Sequence, residues 1–236
     1  MRSQDRPPTL EQIQIVRWTA SLGAITAEAL AYRIGVSVGS ARARLIAARR
    51  RQLLASTQPL SGRPMLFTIT RAGLRACDAR GIQICAVSSS NANHLILCAA
   101  TAAVMERHYP HHRLIGEREL RRDERDTGHP LASAKLAASH GAQCSLHRPD
   151  LVLWPRDSLG GLPVAVEVEL TTKSPQRLAE ICRAWARCRT IAGVIYFAPE
   201  DVQRALRRAV AKARAFEQVI VVPLDWLGGA DTHLAS

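Results

Sequence analysis

The sequence predicts an α/β chain, α+β overall, in two parts: a small helical domain closed by a β-hairpin, then a mixed β-sheet flanked by helices. Three observations predict it. Helix-start signals recur early, at Thr9, Thr26 and Ser37. Two apolar, β-branched runs at 150–154 and 164–171 are divided by Pro and Gly punctuation. Strand and helix patterns then alternate up to Pro223, an order that builds a sheet covered by helices.

Thr9-Leu-Glu-Gln12 is a capping box, so a helix follows to about Ala20. Thr26 caps a short second helix, Ala27 to Arg33, which stops at Gly35. Ser37 caps a third, from Val38 to about Arg51, in which Ala41, Leu45 and Ala48 share the inward face. Two helices joined by a tight, Gly-containing turn are the helix-turn-helix signature. On the third helix Ser40, Ala43 and Arg50 face outward, with Arg42 and Arg49 seven apart on one flank. Two strand-like runs, Gln52 to Thr57 and Met65 to Thr70, flank Gln58-Pro-Leu-Ser-Gly-Arg63-Pro64, a hairpin with a basic tip. That order is similar to winged helix-turn-helix domains, and Phe67-Thr-Ile-Thr-Arg-Ala-Gly-Leu74 resembles their strand-to-helix exit. The resemblance implies double-stranded DNA as partner, with Arg42, Arg44, Arg49, Arg50 and Arg63 neutralising phosphates.

Cys85 to Asn93 is small and polar, the composition of a linker, and sets the domain split at 1–84 and 85–236. A core helix at 94–108 follows. Beyond the acidic strands, Ser174-Pro175 starts a helix with an apolar stripe of Leu178, Ile181, Cys182, Trp185 and Cys188. Ala192 to Ala198 is a strand, Pro199 to Phe216 a basic helix and Gln218 to Pro223 a last strand.

Whole-chain numbers narrow the function. There are 32 Lys and Arg against 20 Asp and Glu, for a formal charge of +12 and a sequence pI near 10.4. A polyanion is therefore the expected partner. No run reaches transmembrane length and no signal core opens the chain, so a cytoplasmic protein without membrane attachment is expected. Six cysteines form no CxxC pair and sit mostly among alanines and leucines, as small buried apolar groups do. His140, Cys144 and His147 have zinc-ligand spacing but no obvious fourth ligand. Neither a phosphate-cradling glycine loop nor a serine nucleophile elbow is visible, so no nucleotide cofactor is expected.

The acidic strands carry the chemistry. In Val164-Ala-Val-Glu-Val-Glu-Leu-Thr171, side chains alternate faces, so Glu167 and Glu169 share one. If 155–161 is a hairpin loop and Trp154 pairs with Pro163, Asp150 falls opposite Glu167. Three carboxylates then converge. Burying them costs several kcal/mol each unless a metal ion, an arginine or a lysine meets them. A solvated face or arginine pairing is the competing explanation.

Pro149-Asp150, Glu167-x-Glu169 and Lys173 resemble the PD-(D/E)XK restriction-endonuclease-like superfamily. The wider string from Arg148 to Trp154 and from Val164 to Ser174 is similar to plasmid replication-relaxation proteins. The resemblance spans about residues 90–225. It implies catalytic roles for Asp150, Glu167, Glu169 and Lys173, and Mg2+ (or Mn2+) held by Asp150, Glu167 and an upstream glutamate. Glu117 is the choice for that glutamate, with Glu119 nearly as good. Glu169 stands where the family usually has lysine, and Lys173 is placed to supply the missing charge. Two functions follow: a metal-dependent DNA endonuclease, or a catalytically silent DNA-binding regulator of a mobile element. Either is expected to act as a homodimer, on fold-level analogy.

Overall fold

Thr9, Thr26 and Ser37 each cap a helix, their side-chain oxygens accepting from the backbone N–H three residues on. The structure, a computed structural model, describes residues 7–136, 145–156 and 160–227. Helix α1 (Leu10–Leu22) runs past Ala20 to Gly23, whose φ of 92° favours glycine. A two-residue strand β1 (Ala24–Ile25) precedes α2 (Ala27–Ile34), which stops at Gly35 in the left-handed conformation. Helix α3 (Val38–Arg50) buries Ala41, Leu45 and Ala48, the stripe its spacing predicts. Strands β2 (Leu54–Thr57) and β3 (Leu66–Ile69) form the expected antiparallel hairpin, Leu54 opposite Ile69. β1 pairs with the other edge of β3, which sequence reasoning did not place. Thr70 then caps α4 (Arg71–Ala76).

The chain divides into two compact units, with the cut between Arg107 and His108. The first therefore contains 85–93 and most of α5 (Ala92–His108), which the expected split at 84 assigns to the second part. The cause is long-range contact. Arg33 of α2 pairs with Glu106, while Arg107 stacks over Tyr32 at 4.7 Å and donates to its carbonyl. Leu95 and Ile96 pack with Ala24, Leu66 and Cys85.

In the second unit β4 (His112–Gly116) leads into α6 (Glu117–Thr127), followed by the short pair β5 (Ala134–Lys135) and β6 (Leu146–His147). Then come β7 (Leu151–Pro155), β8 (Val164–Val168), α7 (Pro175–Ala186), β9 (Gly193–Ala198), α8 (Glu200–Ala213) and β10 (Val219–Pro223). The five-stranded sheet has the order β10-β9-β8-β7-β4. Pairings among β4, β7 and β8 are antiparallel, and those among β8, β9 and β10 are parallel, so the sheet is mixed and the fold α/β. The parallel steps need crossovers, which α7 and α8 provide. One face buries Val152, Ala165, Val194 and Tyr196 against Leu178 and Trp185 of α7 and Leu206 of α8. Trp185 is fully buried and donates its indole N–H to the Tyr196 hydroxyl at 3.0 Å.

Helix α6 carries two buried carboxylates, both satisfied. Glu119 meets Arg113 and Arg122, and Glu124 accepts from Arg148 at 2.9 Å and from Leu131 N–H at 3.0 Å. Helix α8 ends at Ala213 rather than Phe216, Arg214 turning left-handed. Among the described residues no helix is long and apolar enough to cross a membrane.

Candidate functional site

Two chemically loaded regions stand out, one in each unit. In the first, α3 and the β2–β3 hairpin enclose a cleft of about 380 Å3. Arg42 and Arg49 reach it from α3, Arg63 from the hairpin tip and Glu28 from α2, over a floor that includes Ile46 and Met65. Arg49 donates to Ser56 Oγ at 2.9 Å, tying helix to hairpin, and Arg42 lies 3.5 Å from Glu28. The hairpin tip is closed by Gln58, whose amide donates to the Arg63 carbonyl at 2.9 Å. Arg50 and Arg63 are exposed. Arg44 points elsewhere: it pairs with Glu11 of α1 at 2.8 Å. Ser40 is half-buried on the first turn, its N–H held by the Ser37 cap. Thus three of the six residues expected to meet DNA converge on one cleft. Three guanidiniums around it suit an array of phosphates.

The second region lies at the end of the β7–β8 hairpin. Its register pairs Leu151 with Val166 and Val152 with Ala165. Continued by one step, it sets Asp150 opposite Glu167 on the face that carries Val152 and Ala165. Asp150 Oδ2 accepts from Val168 N–H at 2.8 Å, and its carbonyl accepts from Glu117 N–H. Glu167 is buried beside Tyr196, its partner on β9, and His147 Nε2 lies 2.8 Å from its Oε1. That approach is off the axis a hydrogen bond needs, so neither atom has a well-formed partner. Glu169, also buried, is paired with Lys173.

The expected convergence of three carboxylates is corrected. No three acidic or imidazole groups among Asp150, Glu167, Glu169, Glu117 and His147 bring donor atoms within 4.8 Å of one another. Two residues of strand separate Glu167 from Glu169 by nearly 7 Å of rise, and Lys173 claims the latter. Glu117 sits at the start of α6 with its backbone beside Asp150, but its carboxylate pairs with Arg121. Glu119 is committed to two arginines. Of the zinc-spaced trio, His140 and Cys144 fall outside the described residues, and His147 lies beside Glu167.

Electrostatics single out Glu167. Burial strips water from its carboxylate and raises its pKa above the usual 4.5; the His147 contact works against this, Asp150 adds to it and Lys173 opposes it. Lys173 is lowered, chiefly by burial, against the pull of Glu167 and Asp150. Burial and then the Glu167 charge push the Tyr196 hydroxyl well above its ordinary range. A raised carboxyl means that the native state holds its proton more tightly than the unfolded chain does. The stability this contributes is full below about pH 4.5 and is lost as pH rises through the folded value. With metal chelated, the melting temperature of Glu167→Gln should therefore fall less than wild type between pH 4.5 and 8. Parallel curves would contradict the assignment.

Sequence reasoning missed Tyr196 as a neighbour of Glu167, because a parallel partner's register is set by no turn. His147 carried a signal only as the third residue before Asp150. Helix α8 presents Arg204, Arg207, Arg208 and Lys212 as an exposed face, with Arg214 exposed at its C-cap. No family model, curated protein or solved structure matches this chain.

Proposed function

We propose that this protein binds double-stranded DNA through its first unit, acting as a winged helix-turn-helix with α3 as the recognition helix and the β2–β3 hairpin as the wing. The observation that carries the reading is the convergence of Arg42, Arg49 and Arg63 on one cleft between helix and hairpin. A formal charge of +12 supports it. The resemblance to plasmid replication-relaxation proteins supports a role on a plasmid or other mobile element, and fold-level analogy supports a cytoplasmic homodimer acting on two-fold DNA targets. Fluorescence anisotropy of the full chain on a random-sequence duplex tests this. Affinity should fall steeply from 50 to 200 mM salt, with a log–log slope of about −3 or steeper, given roughly −0.9 per neutralised phosphate. No binding at the lowest salt would overturn the reading.

The second unit supports a further role as a PD-(D/E)XK-like domain that cleaves or nicks DNA with Mg2+ or Mn2+. The donor set fits a hard divalent cation: Glu167 is buried with Oε1 lacking a well-formed hydrogen bond, and Asp150 shares its face. Such a cation, when bound, supplies a more acidic water and stabilises charge on the phosphoryl oxygens. Asp150, anchored to Val168 N–H, and Glu167 would hold it, with Glu117 nearest upstream. Lys173, with its pKa lowered, keeps Glu169 oriented and places a cation beside the site. The pairing of Glu169 with Lys173 favours the alternative, a catalytically silent regulator using this domain for dimerisation or DNA grip.

Linkage separates the two. Mg2+ or Mn2+ should stabilise wild type by about 2.7 kcal/mol at a hundredfold excess over Kd. Asp150→Asn should remove that gain, and any cleavage, while DNA binding persists. No thermal shift with either ion would leave the silent regulator.

A further inference from the structure

We infer that His147 is a nitrogen ligand of the cation held at Glu167, which makes this a site for a transition-metal divalent cation, represented by Mn2+, in preference to Mg2+. The inference rests on the reading that Glu167 holds a metal and adds the residue that sets which metal.

The geometry carries it. His147 Nε2 and Glu167 Oε1 are 2.8 Å apart and both buried, yet they form no hydrogen bond of good geometry. A protonated imidazole that merely neutralised the glutamate would aim its N–H along the line joining them. Here the ring nitrogen is aimed beside the oxygen. Two ligands of one ion behave in that way: each points at the ion and not at the other. Donors about 2.1 Å from a common ion at a right angle stand about 3 Å apart, close to the separation seen.

The imidazole is also held in place by its surroundings. Its backbone is fixed by pairing of His147 with Ala134, and its ring meets the Trp185 ring edge-on at 5.5 Å. Trp185 is in turn anchored through its indole N–H to the Tyr196 hydroxyl. These contacts restrain the ring plane without occupying Nε2. Asp150 lies on the same face of the hairpin, anchored to Val168 N–H, but its carboxylate does not close to within 4.8 Å of both other donors, so His147 and Glu167 are the pair that carries the inference. The chemistry follows from the donors. Mg2+ takes oxygen almost exclusively, whereas imidazole nitrogen raises affinity for first-row transition metals.

Isothermal titration of the full chain with MnCl2 alone and with MgCl2 alone tests the inference, using wild type, His147→Ala and Glu167→Gln. Wild type should bind Mn2+ on the order of tenfold or more tighter than Mg2+. His147→Ala should lose about tenfold in Mn2+ affinity, while its Mg2+ affinity changes little; Glu167→Gln should lose both. Should His147→Ala not fold, electron spin-echo spectra of Mn2+-loaded wild type give the same information, by showing modulation from a directly bound nitrogen nucleus. Unchanged Mn2+ affinity in His147→Ala, or no nitrogen modulation, overturns the role of His147 while leaving a metal at Glu167 intact. Absence of binding by either ion to wild type overturns both readings.

Discussion

Replacing Arg42, Arg49 and Arg63 together with alanine should weaken binding to duplex DNA by about a hundredfold or more at low salt. All three line the cleft between α3 and the hairpin. Each lost phosphate contact should also flatten the log–log salt slope by about one, so the triple variant should show a slope shallower by about three. The fold should survive. Arg42 is paired to Glu28 only at 3.5 Å and is largely exposed, and such surface pairs contribute about 0–1 kcal/mol. Arg49 also ties the hairpin to α3 through Ser56, so Arg49→Lys separates charge from tether. Arg44→Ala, in contrast, should leave affinity nearly unchanged, because Arg44 is turned to Glu11 on α1. Equal losses from Arg44 and Arg49 would mean that the cleft is not the contact surface.

The largest effect on stability should come from Gly73→Ala. Gly73 is buried on α4, and an added Cβ would sit 2.2 Å from the Leu53 carbonyl oxygen and 2.7 Å from Ile69 Cδ1. The oxygen belongs to backbone that also receives Thr70 N–H, so it cannot step aside alone. Overpacking against main chain should cost about 3 kcal/mol or more, which lowers the melting temperature of a unit this size by on the order of 10–20 °C. Gly39 on α3 is the control. Nothing lies within 4 Å of its missing Cβ, and alanine there should stabilise by about 0.5–1 kcal/mol. Circular-dichroism melts of the two variants check both statements, and similar melting temperatures would contradict the packing described.

Local physics was legible in the chain, and distant pairing was not. The caps at Thr9, Thr26, Ser37 and Ser174 are contacts three residues long, so residue type alone announces them. The register of Asp150 against Glu167 could be calculated because a short connection joins their strands. Nothing local announces that Arg33 seeks Glu106, 73 residues away, and so the place of α5 in the first unit was missed. Tyr196 comes beside Glu167 only after α7 has crossed over, and β4 reaches the sheet edge through pairing with β7. At the acidic site the faces were readable, but the distances were not. Side chains on one face can still be drawn apart, as Lys173 draws Glu169 away from Glu167.

Hydrogen–deuterium exchange of the full chain with and without a duplex shows whether the first unit carries the DNA-binding surface. Bound DNA should slow exchange in peptides from Ser37 to Arg63, which cover α3, β2 and the hairpin tip, and the triple arginine variant should lose this protection. Protection confined to the second unit, for example along the exposed basic face of α8, with 37–63 unchanged, would contradict it.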